Sequence, residues 1–71
     1  MKISARNILK GRVTRVEIGA VNAEIELELI GGLKVASIIT KASAERLDLR
    51  EGKEVYAVVK ASDVMIATDD D

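Results

Sequence analysis

From Val21 to Leu29 the chain alternates without a break: Val21, Ala23, Ile25, Leu27 and Leu29 are apolar, and Asn22, Glu24, Glu26 and Glu28 between them are polar. A period of two puts the apolar set on one face of an extended strand, so this stretch predicts a half-buried β-strand and a sheet with one wet face. Gly31-Gly32 follows, a pair able to take the positive φ angles of a two-residue hairpin turn, and Leu33 to Thr40 returns as the next strand. Upstream, Leu9, Gly11 and Val13, then Val16 and Ile18, keep the same period but slip by one between Val13 and Val16. A strand that changes face in this way carries a bulge or a sharp bend, the device by which small barrels turn corners.

Lys41 to Asp48 breaks the alternation and is rich in helix formers, with Thr40 or Ser43 available as N-cap, which predicts a short helix. Arg50-Glu51-Gly52-Lys53 reads as a turn. Beyond it Val55, Ala57 and Val59 alternate against Glu54, Tyr56 and Lys60, Val64-Met65-Ile66-Ala67 suggests a final short strand, and Asp69-Asp70-Asp71 is a solvated acidic tail. The expected fold is all-β with one short helix, a small five-stranded OB-like β-barrel made of one domain over residues 1–71.

Size and composition say what such a barrel needs. A chain of 71 residues buries only about 60% of its unfolded surface. Cysteine is absent, and Tyr56 is the sole aromatic although 48% of the residues are hydrophobic, so the core must come from Ile, Leu, Val and Ala. Burial against further copies of the chain is the expected remedy. The lack of cysteine fits a reducing compartment, and with no secretory-type leader and no apolar run near the length of a membrane span the expected location is the cytoplasm, away from membranes.

Several function classes lose ground. Single-stranded nucleic acid, the usual ligand of an OB barrel, needs a basic groove and aromatic platforms, whereas this chain has one Tyr, a net charge of −1 and a Glu24, Glu26, Glu28 stripe. Catalysis is not expected: His and Cys, which supply the commonest general base, the thiol nucleophile and most zinc ligands, are missing. Three adjacent tail carboxylates have no fixed geometry for a cation, so no direct metal ligands are assigned.

Two polar clusters stand out near the ends. Ser4, Arg6 and Asn7 place a hydroxyl, a guanidinium and a carboxamide within four residues, and Lys60 and Ser62 place an ammonium and a hydroxyl among apolar neighbours. All are hydrogen-bond donors and two are cations, the chemistry of holding a small anion. Solvated Arg6 and Lys60 with turn-forming Ser4 and Ser62, and an Asn7 that only turns the chain, are the plainer alternatives.

Ser4-Ala5-Arg6-Asn7 before Leu9-Lys10-Gly11, the Gly31-Gly32 hairpin, Ile39-Thr40, Leu47-Asp48-Leu49-Arg50-Glu51-Gly52 and Val59-Lys60-Ala61-Ser62-Asp63-Val64-Met65 together resemble the molbindins (Mop), molybdenum-pterin-binding proteins made of one TOBE-type domain. The resemblance spans Ile3 to Ile66. It implies a cytoplasmic protein with an OB-like barrel, assembled as a homohexamer, a trimer of strand-exchanged dimers, that binds molybdate or tungstate between subunits for molybdenum storage and homeostasis. It also implies that Ser4, Arg6 and Asn7 of one subunit face Lys60 and Ser62 of another, with backbone amides around Ala5 and Ala61 closing the shell.

The donor set suits that ligand. Molybdate at neutral pH is a fully deprotonated tetrahedral dianion whose oxygens only accept hydrogen bonds, whereas monohydrogen phosphate brings a proton that needs an acceptor, one that Asp63 supplies only if it turns inward. Sulfate is smaller, so cavity size must discriminate against it. Further oxyanion sites lined by backbone leave little signature, with Thr40 and Ser37 as candidates. The alternative from another class is a regulatory or interaction module of OB type without an oxyanion role.

Overall fold

The computed structural model describes residues 1–70; Asp71, the end of the acidic tail, lies outside them. The long alternation becomes β2 (Asn22–Leu29), which buries Ala23, Ile25 and Leu27 and leaves Glu24 and Glu28 in solvent. β1 (Asn7–Ile18) pairs antiparallel with it from Gly11 opposite Leu29 to Ile18 opposite Ala23, and the register shifts between Val13 and Arg15. Thr14 is the extra residue, a bulge at the slip in the apolar period. Its hydroxyl donates toward the Glu26 carboxylate (2.8 Å) and the Glu26 carbonyl (3.2 Å), so the bulged residue is anchored to the neighbouring strand.

β3 (Lys34–Thr40) pairs with the far edge of β2, and β4 (Glu54–Val59) pairs with the first half of β1, giving the order β3-β2-β1-β4 in a sheet curled into a half-barrel. Val13, Ala23, Ile25, Leu27 and Ala44 form the buried core, with Val16, Ile39, Leu49, Val55 and Ala57 packed around them. Ala44 belongs to α1 (Lys41–Arg46), whose N-cap is Thr40: its hydroxyl oxygen accepts the Ser43 N–H at 3.0 Å. Lys53 Nζ donates to the carbonyls of Leu47 (2.6 Å) and Asp48 (3.2 Å), satisfying groups freed at the helix end. Gly11 is required by close approach, since a Cβ there would lie 2.9 Å from Leu29 Cδ2 and 3.0 Å from the Glu28 carbonyl oxygen.

Three expectations change. The hairpin loop is longer than two residues. Gly32 N–H donates to the Leu29 carbonyl (3.0 Å) and Leu29 N–H to the Leu33 carbonyl (2.7 Å), which leaves Ile30, Gly31 and Gly32 in the loop. Gly31 and Gly32 do take positive φ, 90° and 86°.

The described residues contain four strands, not five. A single 3-10 turn at Ala61–Asp63 deflects the chain beyond β4, and Val64 to Ala67 run exposed without pairing. Apolar character alone does not make a strand; the edges of β3 and β4 are open, but the segment must also be aligned with one of them, and the 3-10 turn sets its direction instead.

The glutamate stripe is also less negative than it reads. Arg12 stands opposite Glu28 and Lys34 Nζ reaches Glu26 at 3.3 Å, so cations face two of the three glutamates, while Glu24 stands opposite Glu17.

The half-barrel is open. Val13, Ile25, Leu27, Ile39, Leu49 and Val55 line an apolar trough on its concave side. The accessible surface is 5860 Å², against about 4,300 Å² for a compact monomer of this mass, and the radius of gyration is 13.5 Å, against about 11 Å. Among the described residues no helix is long and apolar enough to cross a membrane.

Candidate functional site

β1 and β4 run antiparallel with Asn7 opposite Val59, Ile8 opposite Val58 and Leu9 opposite Ala57. Arg6 and Lys60 are the next residues beyond that last pair, and past them the second segment turns through the 3-10 turn at Ala61–Asp63. The two polar clusters, 52 residues apart in sequence at Asn7 and Val59, therefore meet because one ladder runs out between them. Ser4, Ala5, Arg6, Lys60, Ala61 and Ser62 line one open concavity, together with Ile3, Val58 and Asp63.

Local structure turns the second wall toward the first. Lys60 is extended (φ −65°, ψ 132°) and caps the 3-10 turn. Within that turn Asp63 N–H donates to the Lys60 carbonyl (2.8 Å) and Val64 N–H to the Ala61 carbonyl (3.3 Å). The N–H groups of Ala61 and Ser62 precede these bonds and have no acceptor inside the turn, which leaves them to face a ligand or water.

The electrostatics favour an anion. Ion pairs join Lys10 to Glu54, Arg15 to Glu17, Lys34 to Glu26 and Arg50 to Asp48. Neither Arg6 nor Lys60 takes part in an ion pair among the described residues, so both positive charges of the concavity are available. Ser4, Arg6, Lys60 and Ser62 are all exposed, and a small solute can reach them directly.

Asn7 is placed differently from its expected partners. Its Nδ2 donates to the Val59 carbonyl at 3.2 Å and it is not among the residues lining the concavity, so its geometry is that of a clamp on the ladder. The resemblance implied that a second subunit brings Lys60 and Ser62 to Ser4 and Arg6; here a single chain already brings them together.

Ser37 lines the apolar trough, and the Thr40 hydroxyl is engaged by Ser43, donating to its Oγ at 2.8 Å while accepting its N–H, so neither lines this concavity. Sequence reasoning passed over Ile3 and Val58, the apolar part of the lining. For Val58 a signal existed, because it stands two residues before Lys60 and shares its face of the strand. Asp63, expected to matter only if turned inward, does line the concavity.

The model of the TOBE domain matches residues 3–66. The chain is 56% identical over 66 residues to molybdenum-pterin-binding protein 3 of Clostridium pasteurianum, covering 93% of this chain and 97% of that one. Its structure is similar to MopII from Clostridium pasteurianum, with a TM-score of 0.90 and 52% identity over 94% of this chain and 100% of that one. It is also similar to ModG, a cytoplasmic molybdate-binding protein solved with molybdate bound, with a TM-score of 0.82 and 57% identity over 86% of this chain and 43% of that one. The curled OB-like sheet and these likenesses agree, and the chain belongs to the TOBE-domain family of molybdenum-pterin-binding proteins.

Proposed function

We propose that this protein binds molybdate, and tungstate equally, in the concavity between the start of β1 and the end of β4, as a cytoplasmic store that takes up and returns the oxyanion. The carrying observation is that Arg6 and Lys60, unpaired with any carboxylate among the described residues, share that concavity with the Ser4 and Ser62 hydroxyls. A tetrahedral dianion needs donors on every side, and this lining supplies two charged ones, two hydroxyls and the N–H groups of Ala61 and Ser62. The names of the relatives support the same ligand.

The working form is an oligomer, a hexamer arranged as a trimer of strand-exchanged dimers. Its support is the surface excess of about 1,500 Å² over a compact monomer, comparable to two interfaces of about 800 Å² per partner, together with a core of five buried residues. In that assembly a second subunit closes the open side of each concavity. No catalytic role is assigned.

A thermal-shift panel with molybdate, tungstate, sulfate, phosphate and a single-stranded oligonucleotide, at matched ionic strength, tests the reading. Molybdate and tungstate should stabilise alike, by about 2.7 kcal/mol per site at a hundred times the dissociation constant, with little effect from sulfate or the oligonucleotide; Asp63 in the lining can accept the proton of monohydrogen phosphate, so phosphate should give a shift smaller than that of molybdate. Equal shifts from all four anions would mean screening alone, and a shift from the oligonucleotide alone would indicate the usual OB-barrel ligand. Light scattering on the same samples should show several protomers; a folded monomer would remove the assembly.

A further inference from the structure

Asp63 lines the concavity together with Lys60 and Ser62, which neighbour it in the chain, and with Arg6 and Ser4, and so adds a carboxylate to the lining. The 3-10 turn holds its backbone beside Lys60, with its N–H bonded to the Lys60 carbonyl at 2.8 Å. A carboxylate accepts hydrogen bonds and donates none, so it gives a fully deprotonated dianion nothing to bind. Among the described residues it forms no ion pair with Arg6 or Lys60, so its charge acts on whatever enters. With two cations and one carboxylate, the side chains of the lining carry one net positive charge toward a ligand that carries two negative ones.

We propose that Asp63 is the affinity-limiting residue of this site, a built-in counter-charge that keeps an oxyanion exchangeable where the donors alone would hold it longer. The inference rests on the oxyanion reading given above and assigns the regulation of that site. It also says which residue sets the balance between holding the anion and giving it back. Loss of the carboxylate leaves the donors untouched and brings the lining to two net positive charges, matching the dianion.

The experiment is calorimetric titration of sodium molybdate into the assembled unaltered protein, Asp63→Asn and Glu45→Gln, at low and at raised ionic strength. Glu45 lies on α1, does not line the concavity, and its variant changes the net charge by the same amount. Asp63→Asn should bind about three- to tenfold more tightly than the unaltered protein and release molybdate more slowly. The gain should shrink as salt rises, because the concavity is open to solvent. Glu45→Gln should titrate like the unaltered protein.

An equal gain in both variants would trace the effect to overall charge and overturn the proposal. So would unchanged or weaker binding by Asp63→Asn in an intact oligomer, which would make the carboxylate neutral or an organiser of the donors. Asp63→Ser, with a smaller neutral side chain, gives the same reading if the Asn variant fails to fold. If the unaltered protein binds no molybdate, the oxyanion reading falls and this inference with it, a failure distinct from one in which only the variants disagree.

Discussion

Asn7 and Val59 stand opposite each other at the last rung of the β1–β4 ladder, and the Asn7 carboxamide donates to the Val59 carbonyl at 3.2 Å. That rung separates the sheet from the residues that line the concavity, so the nearness of Arg6 to Lys60 depends on it. Asn7→Ala should lower stability by about 1 kcal/mol and also weaken molybdate binding, although Asn7 does not line the concavity. Urea denaturation and calorimetry on the same sample check both halves. Weakened binding with no change in stability would instead indicate a direct contact with the anion.

Lys60 follows the last residue of β4 and its side chain is exposed, so it can be shortened without touching the core. Lys60→Ala should cost about 1.5 to 3 kcal/mol of binding, roughly tenfold to a hundredfold in affinity, with the melting temperature of the ligand-free protein nearly unchanged. Titration with molybdate, with the oligomer verified by light scattering, is the measurement. Unchanged affinity would remove Lys60 from the site.

Gly11, in β1, lies close against β2, where a methyl group would meet Leu29 Cδ2 at 2.9 Å and the Glu28 carbonyl oxygen at 3.0 Å. Leu29 can swing aside, but the carbonyl belongs to the ladder and has less room to give. Gly11→Ala should therefore destabilise by about 1 to 3 kcal/mol, seen as an earlier urea midpoint with an unchanged slope.

The Thr14 hydroxyl and, after it, the Lys34 ammonium hold the Glu26 carboxyl below its ordinary pKa. A lowered folded-state pKa contributes stability above the ordinary carboxylate range, and that contribution fades as pH falls through the lowered value. Thermal melts from about pH 6 to about pH 3 should show a loss of stability on the acid side that is shallower in Thr14→Val, which lacks the leading cause of the shift.

What was legible in the sequence followed from local chemistry. The unbroken alternation of Val21 to Leu29 has one extended solution with a buried face, the slip between Val13 and Val16 marks the bulge at Thr14, and Thr40 caps α1 through the Ser43 N–H. The readings that failed depended on geometry outside the segment. Val64 to Ala67 carry the residues of a strand, and β3 and β4 both offer an open edge, but the preceding 3-10 turn takes the chain out of the ladder and the segment pairs with neither. Similarly, the length of the Gly31-Gly32 loop is set by the pairing of Leu29 with Leu33, which lies outside the glycine pair itself. At the site, residue types marked both clusters, and the β1–β4 register explains their meeting. The place of Asp63 in the lining has no local signature, because it depends on the direction in which the chain leaves β4.

Because β1 and β4 are antiparallel and the concavity lies past their common end, a force pulling Arg6 away from Lys60 loads the ladder one rung at a time, starting at Asn7 and Val59. Zippers opened from the end yield at low force, whereas the bulged β1–β2 seam over Val13 and Ile25 is braced from both sides. Mechanical strain on this molecule would thus open the concavity before it disturbed the core, and the same order should govern the slow breathing of the native state, with amides near Asn7 and Val59 exchanging ahead of those near Ile25.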